Sequence, residues 1–324
     1  MAGQLPITPD DVAAGARRIA SVANRTPVFT SRSLDERLDA TVFLKAESFQ
    51  RGGAFKFRGA YNTVASLSQE ELARGVVASS SGNHAQALTI AAGLAGSSAT
   101  IFMPRDAPAS KRAATENYGA RVVEFDRYTE DREEIVAELV EREGLTPVHP
   151  YDDPRIMAGA GTSTRELLEQ AGPLDLVLIP AGGGGQLAGG AVAAQGEVDP
   201  PRLVGVESAA VGQWRAALDA GRPSRVEVKE TIADGQQLSA PGNQTFAVAK
   251  ELVEDVVATT DEEILAAMAY LFERQKLVVE PSGASALAAV LSGRVDVRGL
   301  RVGVVLSGGN IATDRFVSLL SDAR

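Results

Sequence analysis

The chain has 324 residues, 44% hydrophobic and 23% charged, and its 32 basic and 42 acidic side chains give a formal net charge of −10. That is enough apolar material for about two packed domains, and the acidic balance argues against a chain built to neutralise nucleic-acid backbones. It holds no cysteine and only two histidines, His84 and His149, which excludes disulfides, thiolate nucleophiles, iron–sulfur clusters and multi-histidine metal centres.

The N-terminal MAGQLPITPDD lacks the basic-then-apolar order of a secretory signal, and no apolar run is long enough to span a membrane, so a cytoplasmic protein without a membrane partner is expected. Thr8 offers an N-cap, followed by Pro9 at the first helical position and by Asp10 and Asp11 on the dipole. Short apolar runs then predict strands at 42–46, 75–79, 99–103, 121–125, 175–180, 202–207 and 301–306. Helical patterns fall at 83–95, 108–118, 129–143, 155–171, 186–195, 261–275 and 312–322, with Asp261 read as the cap of the sixth. Strands rich in Val, Ile and Leu that alternate with helices indicate an α/β protein with buried parallel sheets. Gly75 and the VHPYDDP segment at 148–154 mark boundaries, so a small domain at 75–151 is expected inside a larger one made of 1–74 and 152–324.

Four stretches carry chemistry. In FQRGGAFKFRGAYN (49–62), Lys56 is one of only six lysines and lies between Phe55 and Phe57. Partial desolvation there would lower its pKa and free a nucleophilic amine, while the plain alternative is a surface lysine whose stem covers apolar surface. In VVASSSGNHAQAL (76–88) a strand runs through Ser79, Ser80, Ser81 and Gly82 into a helix at Asn83. Backbone N–H groups at a helix start suit a carboxylate; an ordinary N-cap is the alternative.

The third stretch, LVLIPAGGGGQLAGG (176–190), has the layout of a phosphate cradle, in which missing side chains let N–H groups reach the anion. Gly183, Gly185 and Ala188, with Glu207 about 20 residues on, equally match a dinucleotide fingerprint, so the loop indicates phosphate without saying which. In VGVVLSGGN (302–310) a strand delivers Ser307 to the carboxyl edge of a sheet, where a hydroxyl can pair with a heterocyclic nitrogen or merely begin a turn. A lysine, a glycine cup, a hydroxyl and an asparagine together are what pyridoxal phosphate needs. A dinucleotide-dependent oxidoreductase would explain only the third stretch. A non-catalytic small-molecule sensor would leave Lys56, Asn83 and Ser307 without a task.

Taken in order, RTPV, AFKFRGA, SSGNHAQAL, PAGGGGQLAGG, ETIADG, EPSGA and LSGGN resemble the fold type II pyridoxal-phosphate enzymes, in particular the threonine/serine dehydratase and serine racemase family, over residues 25–310. The resemblance implies that architecture: two domains, each with a mostly parallel sheet flanked by helices. It implies that Lys56 holds the cofactor covalently and then takes the α-proton. Phe55 would pack on the cofactor ring, Asn83 would bond its phenolic oxygen, and Gly182, Gly183, Gly184, Gly185 and Gln186 would hold its phosphate. Ser307 would pair with the pyridine nitrogen. Ser80, Ser81, Gly82, Asn83 and His84 would receive the substrate carboxylate, and Ser81 matches the serine that serves the face opposite the lysine in racemases.

The activity implied is α,β-elimination from a β-hydroxy amino acid of the L-threonine or L-serine type, giving a 2-oxo acid and ammonia. Racemisation and hydroxyaspartate-type dehydration are the runner-up activities, and a homodimer is the implied assembly. Ala54 stands where many relatives carry serine. The divalent-cation segment also departs from the pattern: Glu207 and the Val211 carbonyl are available, but Gln213 stands where relatives carry aspartate, and a neutral amide is a weaker ligand for a hard cation. Loop bracing is expected of His84, a structural role of His149, and packing of Trp214.

Overall fold

The computed structural model describes residues 5–107, 109–126, 129–130 and 132–322. Its strands, in chain order, are β1 (Val28–Phe29), β2 (Thr41–Ala46), β3 (Val76–Ser79), β4 (Ala99–Pro104), β5 (Arg121–Phe125), β6 (Thr146–Pro147), β7 (Leu176–Pro180), β8 (Arg202–Ser208), β9 (Asp255–Thr259) and β10 (Arg301–Leu306). Six form one sheet in the order β1-β2-β10-β7-β8-β9, and four form a second in the order β5-β4-β3-β6. Among these described strands only β1 runs antiparallel to its neighbour; every other strand pairing is parallel.

Parallel strands covered by helices on both faces should read as continuous apolar runs. β7 is buried at all five positions, and β10 at every position after Arg301. Apolar cores flank the six-stranded sheet, one around Leu178, Val206, Leu287 and Val304, another around Val177, Leu187, Trp214 and Phe246. On one face of the four-stranded sheet the core also draws in Phe57, Ala60, Val64 and Ile156, from outside residues 75–151.

The seven strands predicted from sequence are all present, and each of the seven predicted helical stretches holds a helix. Pro108 and Asp131, inside two of those stretches, and Met1–Gln4 of the N-terminal segment lie outside the described residues. The short or edge strands β1, β6 and β9 are additions, two of them only two residues long. One cap moves by a residue: Thr260, not Asp261, accepts the N–H of Glu263, and the Glu263 carboxylate accepts the Thr260 N–H in return. A threonine at the cap with a glutamate three positions on makes the reciprocal box that an Asp261 cap would lack. Thr8 caps the first helix as expected, with Pro9 at its first position.

Two features fix the helix that begins at Lys56. Gly159 lets helix Pro154–Ala171 lie backbone to backbone on helix Lys56–Val64, since a Cβ there would stand 2.5 Å from the Arg58 carbonyl oxygen. Arg58, fully buried, donates to Glu47 at 2.7 Å and to Glu166 at 2.8 Å, and Lys45 joins Glu166 at 2.8 Å. Removing one member of such a network strands a buried charge, at a cost of about 3–5 kcal/mol.

Candidate active site

The carboxyl ends of the parallel strands are where an open α/β sheet collects ligands. From β2 the chain makes two short 3₁₀ turns, Glu47–Phe49 and Arg51–Gly53, and enters helix Lys56–Val64 at Lys56. Phe55 N–H donates to the Ser307 carbonyl at 3.0 Å, and Ala54 pairs with Gly308, so the segments carrying Lys56 and Ser307 are joined through backbone. The Ala54 side chain contributes nothing to that join, which suits the departure from serine at this position.

Lys56 is half-buried and donates from Nζ to the Pro150 carbonyl at 2.6 Å. Nζ also lies 5.2 Å from the centroid of the Phe55 ring. Burial pulls the ammonium pKa down to about 8, against the opposing attraction of Glu280. An amine in that range is a competent nucleophile near neutrality.

Against Tyr151, the neighbour of Pro150, packs the start of helix Gly185–Ala194, with Gly184 as its N-cap at φ 98°. The N–H groups of Gly182 through Gln186 donate to no other described residue, so five donors are open at one helix N-terminus. The walls of this cup are close. A Cβ at Gly182 would stand 2.6 Å from the Gly235 carbonyl oxygen, one at Gly183 would enter the Tyr151 ring, and one at Gly184 would lie 2.5 Å from the Trp214 ring. Trp214, fully buried, also donates from Nε1 to the Gly182 carbonyl at 2.7 Å. It is a packing residue that fixes the cup as well.

Ser307, at the end of β10, is buried, and its hydroxyl bonds to no other described residue. At the carboxyl end of β3, Ser80, Ser81, Gly82 and Asn83 are half-buried, and the Ser80 hydroxyl accepts the Gly82 N–H at 3.2 Å. His84 is buried at the second position of helix Asn83–Leu94, with Nε2 3.1 Å from the Val148 carbonyl. Burial and the nearby Lys56 charge hold its pKa down at about 3, so it is a neutral brace. His149 shapes a turn, its Nδ1 accepting the N–H groups of Asp152 at 2.8 Å and Tyr151 at 3.3 Å.

Sequence reasoning assigned no role to three residues that hold this arrangement. Glu280, 6% exposed, accepts from Asn83 Nδ2 at 2.6 Å. Asn310 donates to Asn83 Oδ1 at 2.8 Å and to the Gly52 carbonyl at 2.6 Å. Asp152 accepts three N–H groups at the start of helix Asn243–Leu252, which anchors the Tyr151 loop beside the cup. Glu280 did leave a signal, as the only charge in the apolar run at 277–291.

The Glu207 corner, where Gln213 departs from the cation-binding pattern, is hydrogen-bonded from within the chain. The two Glu207 oxygens accept the N–H groups of Trp214 at 2.8 Å and Arg215 at 3.0 Å. Burial raises the Glu207 carboxyl pKa, against the pull of those donors. Among the described residues, no three His, Cys, Asp or Glu side chains gather as a metal site.

A protein-family profile described as pyridoxal-phosphate dependent enzyme matches residues 19–308. The chain belongs to that family. Its L-threo-3-hydroxyaspartate ammonia-lyase relative from Saccharomyces cerevisiae is 45% identical over 311 residues, 96% of this chain and 95% of the relative. A serine racemase from Schizosaccharomyces pombe is 43% identical, with 97% of each chain covered. The structure of maize serine racemase superposes with a TM-score of 0.92 at 35% identity, covering 98% of each chain. The cup fits the family's cofactor on its own geometry: five open N–H groups and glycines hemmed in by neighbours, with a desolvated lysine bonded to Pro150 in the loop that packs on them.

Proposed function

We propose that this chain is a pyridoxal-phosphate-dependent ammonia-lyase that eliminates the β-hydroxyl of an amino acid of the threonine or serine type. The observation that carries this reading is the meeting, at one sheet edge, of a lysine amine with pKa near 8, five unspent N–H donors and an unengaged serine hydroxyl. When bound, the cofactor supplies the electron sink that makes the substrate α-hydrogen acidic. Lys56 holds the cofactor and, once freed, takes the α-proton on Nζ. The N–H groups of Gly182, Gly183, Gly184, Gly185 and Gln186 hold the phosphate, and Phe55 packs on the ring. Ser307 meets the ring nitrogen as a neutral hydroxyl, which does not force a proton onto it and so leaves electron density near the substrate carbons.

Asn83 is placed to bond the ring oxygen because Glu280 and Asn310 already orient its amide. Ser80, Ser81, Gly82, Asn83 and His84 form the carboxylate-binding loop, with His84 acting through the backbone it braces. Residues 75–151 are proposed as a small domain that brings this loop onto the cofactor. Overall, the hydroxyl leaves with a proton as water, and the unsaturated amine left behind takes water up to give a 2-oxo acid and ammonia.

Racemisation is the second reading. It is favoured by Ser81, whose hydroxyl bonds to no other described residue, and by the similarity to a named racemase. A homodimer is proposed from exposed apolar side chains such as Phe49, 50% accessible, and Val278, 46% accessible, with sedimentation as the check. A cytoplasmic setting agrees with the described helices, none of which is long and apolar enough to cross a membrane.

The test is a panel of β-hydroxy amino acids, threonine, serine and 3-hydroxyaspartate, read by 2-oxo acid and ammonia release and by chiral analysis. Purified protein should absorb in the visible and retain the cofactor on Lys56 after borohydride. A colourless protein that takes up no pyridoxal phosphate but binds NAD would end this reading. D-serine formed without pyruvate would select the racemase.

A further inference from the structure

The corner behind the glycine cup joins three segments. Glu207 lies near the end of β8, Gln213 opens helix Gln213–Ala220, and Gln236 closes the turn Asp234–Gln236 beside the cup. All three side chains are almost fully buried. Glu207 faces the helix N-terminus, with one N–H on each oxygen, so the helix itself offsets part of this carboxylate's charge. Gln213 presents Nε2, a donor, 3.3 Å from the Gly182 carbonyl and 3.4 Å from the Gln236 carbonyl.

A divalent cation needs an oxygen shell here, about six ligands for Mg²⁺ and six to eight for Ca²⁺. To Glu207 and the Val211 carbonyl, Gln213 adds a single neutral oxygen, Oε1, which is buried without a hydrogen-bond partner. Nothing anionic stands at Gln213 to join Glu207. We infer that the Gln213 amide and the helix N-terminus replace a divalent cation in this chain, clasping the Gly182 carbonyl of the cup to the Gln236 turn, so that the cup keeps its shape without metal. Here the two N–H groups of one amide meet the Gly182 and Gln236 carbonyls, and two N–H groups from the first turn of one helix meet the Glu207 carboxylate.

The test uses holoenzyme of the wild type and of two variants, melted in chelator and then with Mg²⁺, Ca²⁺ or Mn²⁺ at matched ionic strength. The wild-type melting temperature should be the same in all four conditions, and elemental analysis after chelation should find no stoichiometric divalent ion. Gln213→Asp restores a second carboxylate and should melt a few degrees lower in chelator, with a saturable recovery on adding cation. Gln213→Met keeps the length without the amide and should lose a few degrees that no cation returns. A saturable rise of the wild-type melting temperature with any of the three ions, or a tightly held ion, overturns the inference. So does a folded Gln213→Asp that ignores cations. If that variant does not fold, the wild-type titration and Gln213→Met still decide. None of these readouts depends on which substrate the enzyme takes.

Discussion

Gly184 and Gly82 each stand one step ahead of a helix at the carboxyl edge of a parallel sheet, and each precedes a set of open N–H groups. The protein treats them in opposite ways. Gly184 has φ 98°, and a methyl group on it would lie 2.5 Å from Trp214 and 2.9 Å from Thr245. Gly82 has φ −128°, and a methyl group would meet nothing within 4 Å. At Gly184 the protein's own packing demands glycine, so the cup is formed before any ligand arrives. At Gly82 the protein makes no such demand, which agrees with the role proposed for this loop in taking up a substrate carboxylate. One corner is prebuilt for a resident group; the other is open for a molecule that comes and goes.

The sharpest way to break this contrast is to place the same methyl group on both glycines. Gly184→Ala combines a left-handed backbone with an overpacked contact, for a loss of about 2–5 kcal/mol. Melting temperature should fall by many degrees and cofactor should be lost on dialysis. Gly82→Ala should melt within about 0.5 kcal/mol of the parent and keep its colour, while kcat/KM drops roughly 10- to 100-fold as the carboxylate is held off its donors. A Gly82→Ala enzyme with full activity, or a Gly184→Ala enzyme that keeps its cofactor, would erase the distinction.

A smaller effect probes the brace under the open loop. His84 is neutral when folded, with its pKa held near 3 by burial, against an ordinary value of 6.5 when unfolded. Below pH 6.5 the unfolded chain therefore takes a proton that the folded chain refuses, so stability falls as pH drops through this window toward 3. Between about pH 6 and pH 4 this single group removes about 2 kcal/mol. Denaturant melts of His84→Gln across that range should show a shallower slope than wild type. Equal slopes would mean that the loop opens enough in acid to hydrate the imidazole.

The sheets were legible because their strands are buried on both faces and carry their apolar residues in unbroken runs, as at Leu176–Pro180. β6, two residues ending in Pro147, offered no such run, and β9 is an edge strand whose short Val256–Ala258 run is only partly buried. The glycine run at 182–185 could be read as a phosphate-type loop without saying which phosphate, and the walls that crowd it, Tyr151, Trp214 and Gly235, could not be read at all. Asp152, Glu280 and Asn310 could not be read as site residues. Each acts through a partner distant in sequence, as Glu280 does through Asn83, and only the fold brings such pairs together. The Gln213 corner was half legible: the amide in place of a carboxylate could be seen in the sequence, but not its bonds to the Gly182 and Gln236 carbonyls.

Glu280 is where the prebuilt and the open halves touch. Its carboxylate holds Asn83, at the start of the open loop's helix, and its charge raises the Lys56 pKa against the lowering by burial. Glu280→Gln keeps a hydrogen-bond acceptor for the Asn83 amide while removing the charge. The Lys56 pKa should then fall further below about 8, by up to roughly one pH unit, and the free amine should persist to correspondingly lower pH. The rate at which apoenzyme recombines with pyridoxal phosphate, followed against pH, reads this as an acid shift of its midpoint. Glu280→Ala should add the cost of a freed Asn83 and slow recombination at every pH. A midpoint that stays in place in Glu280→Gln would mean that burial alone sets the lysine, and that the two halves meet at Asn83 as a matter of packing and not of charge.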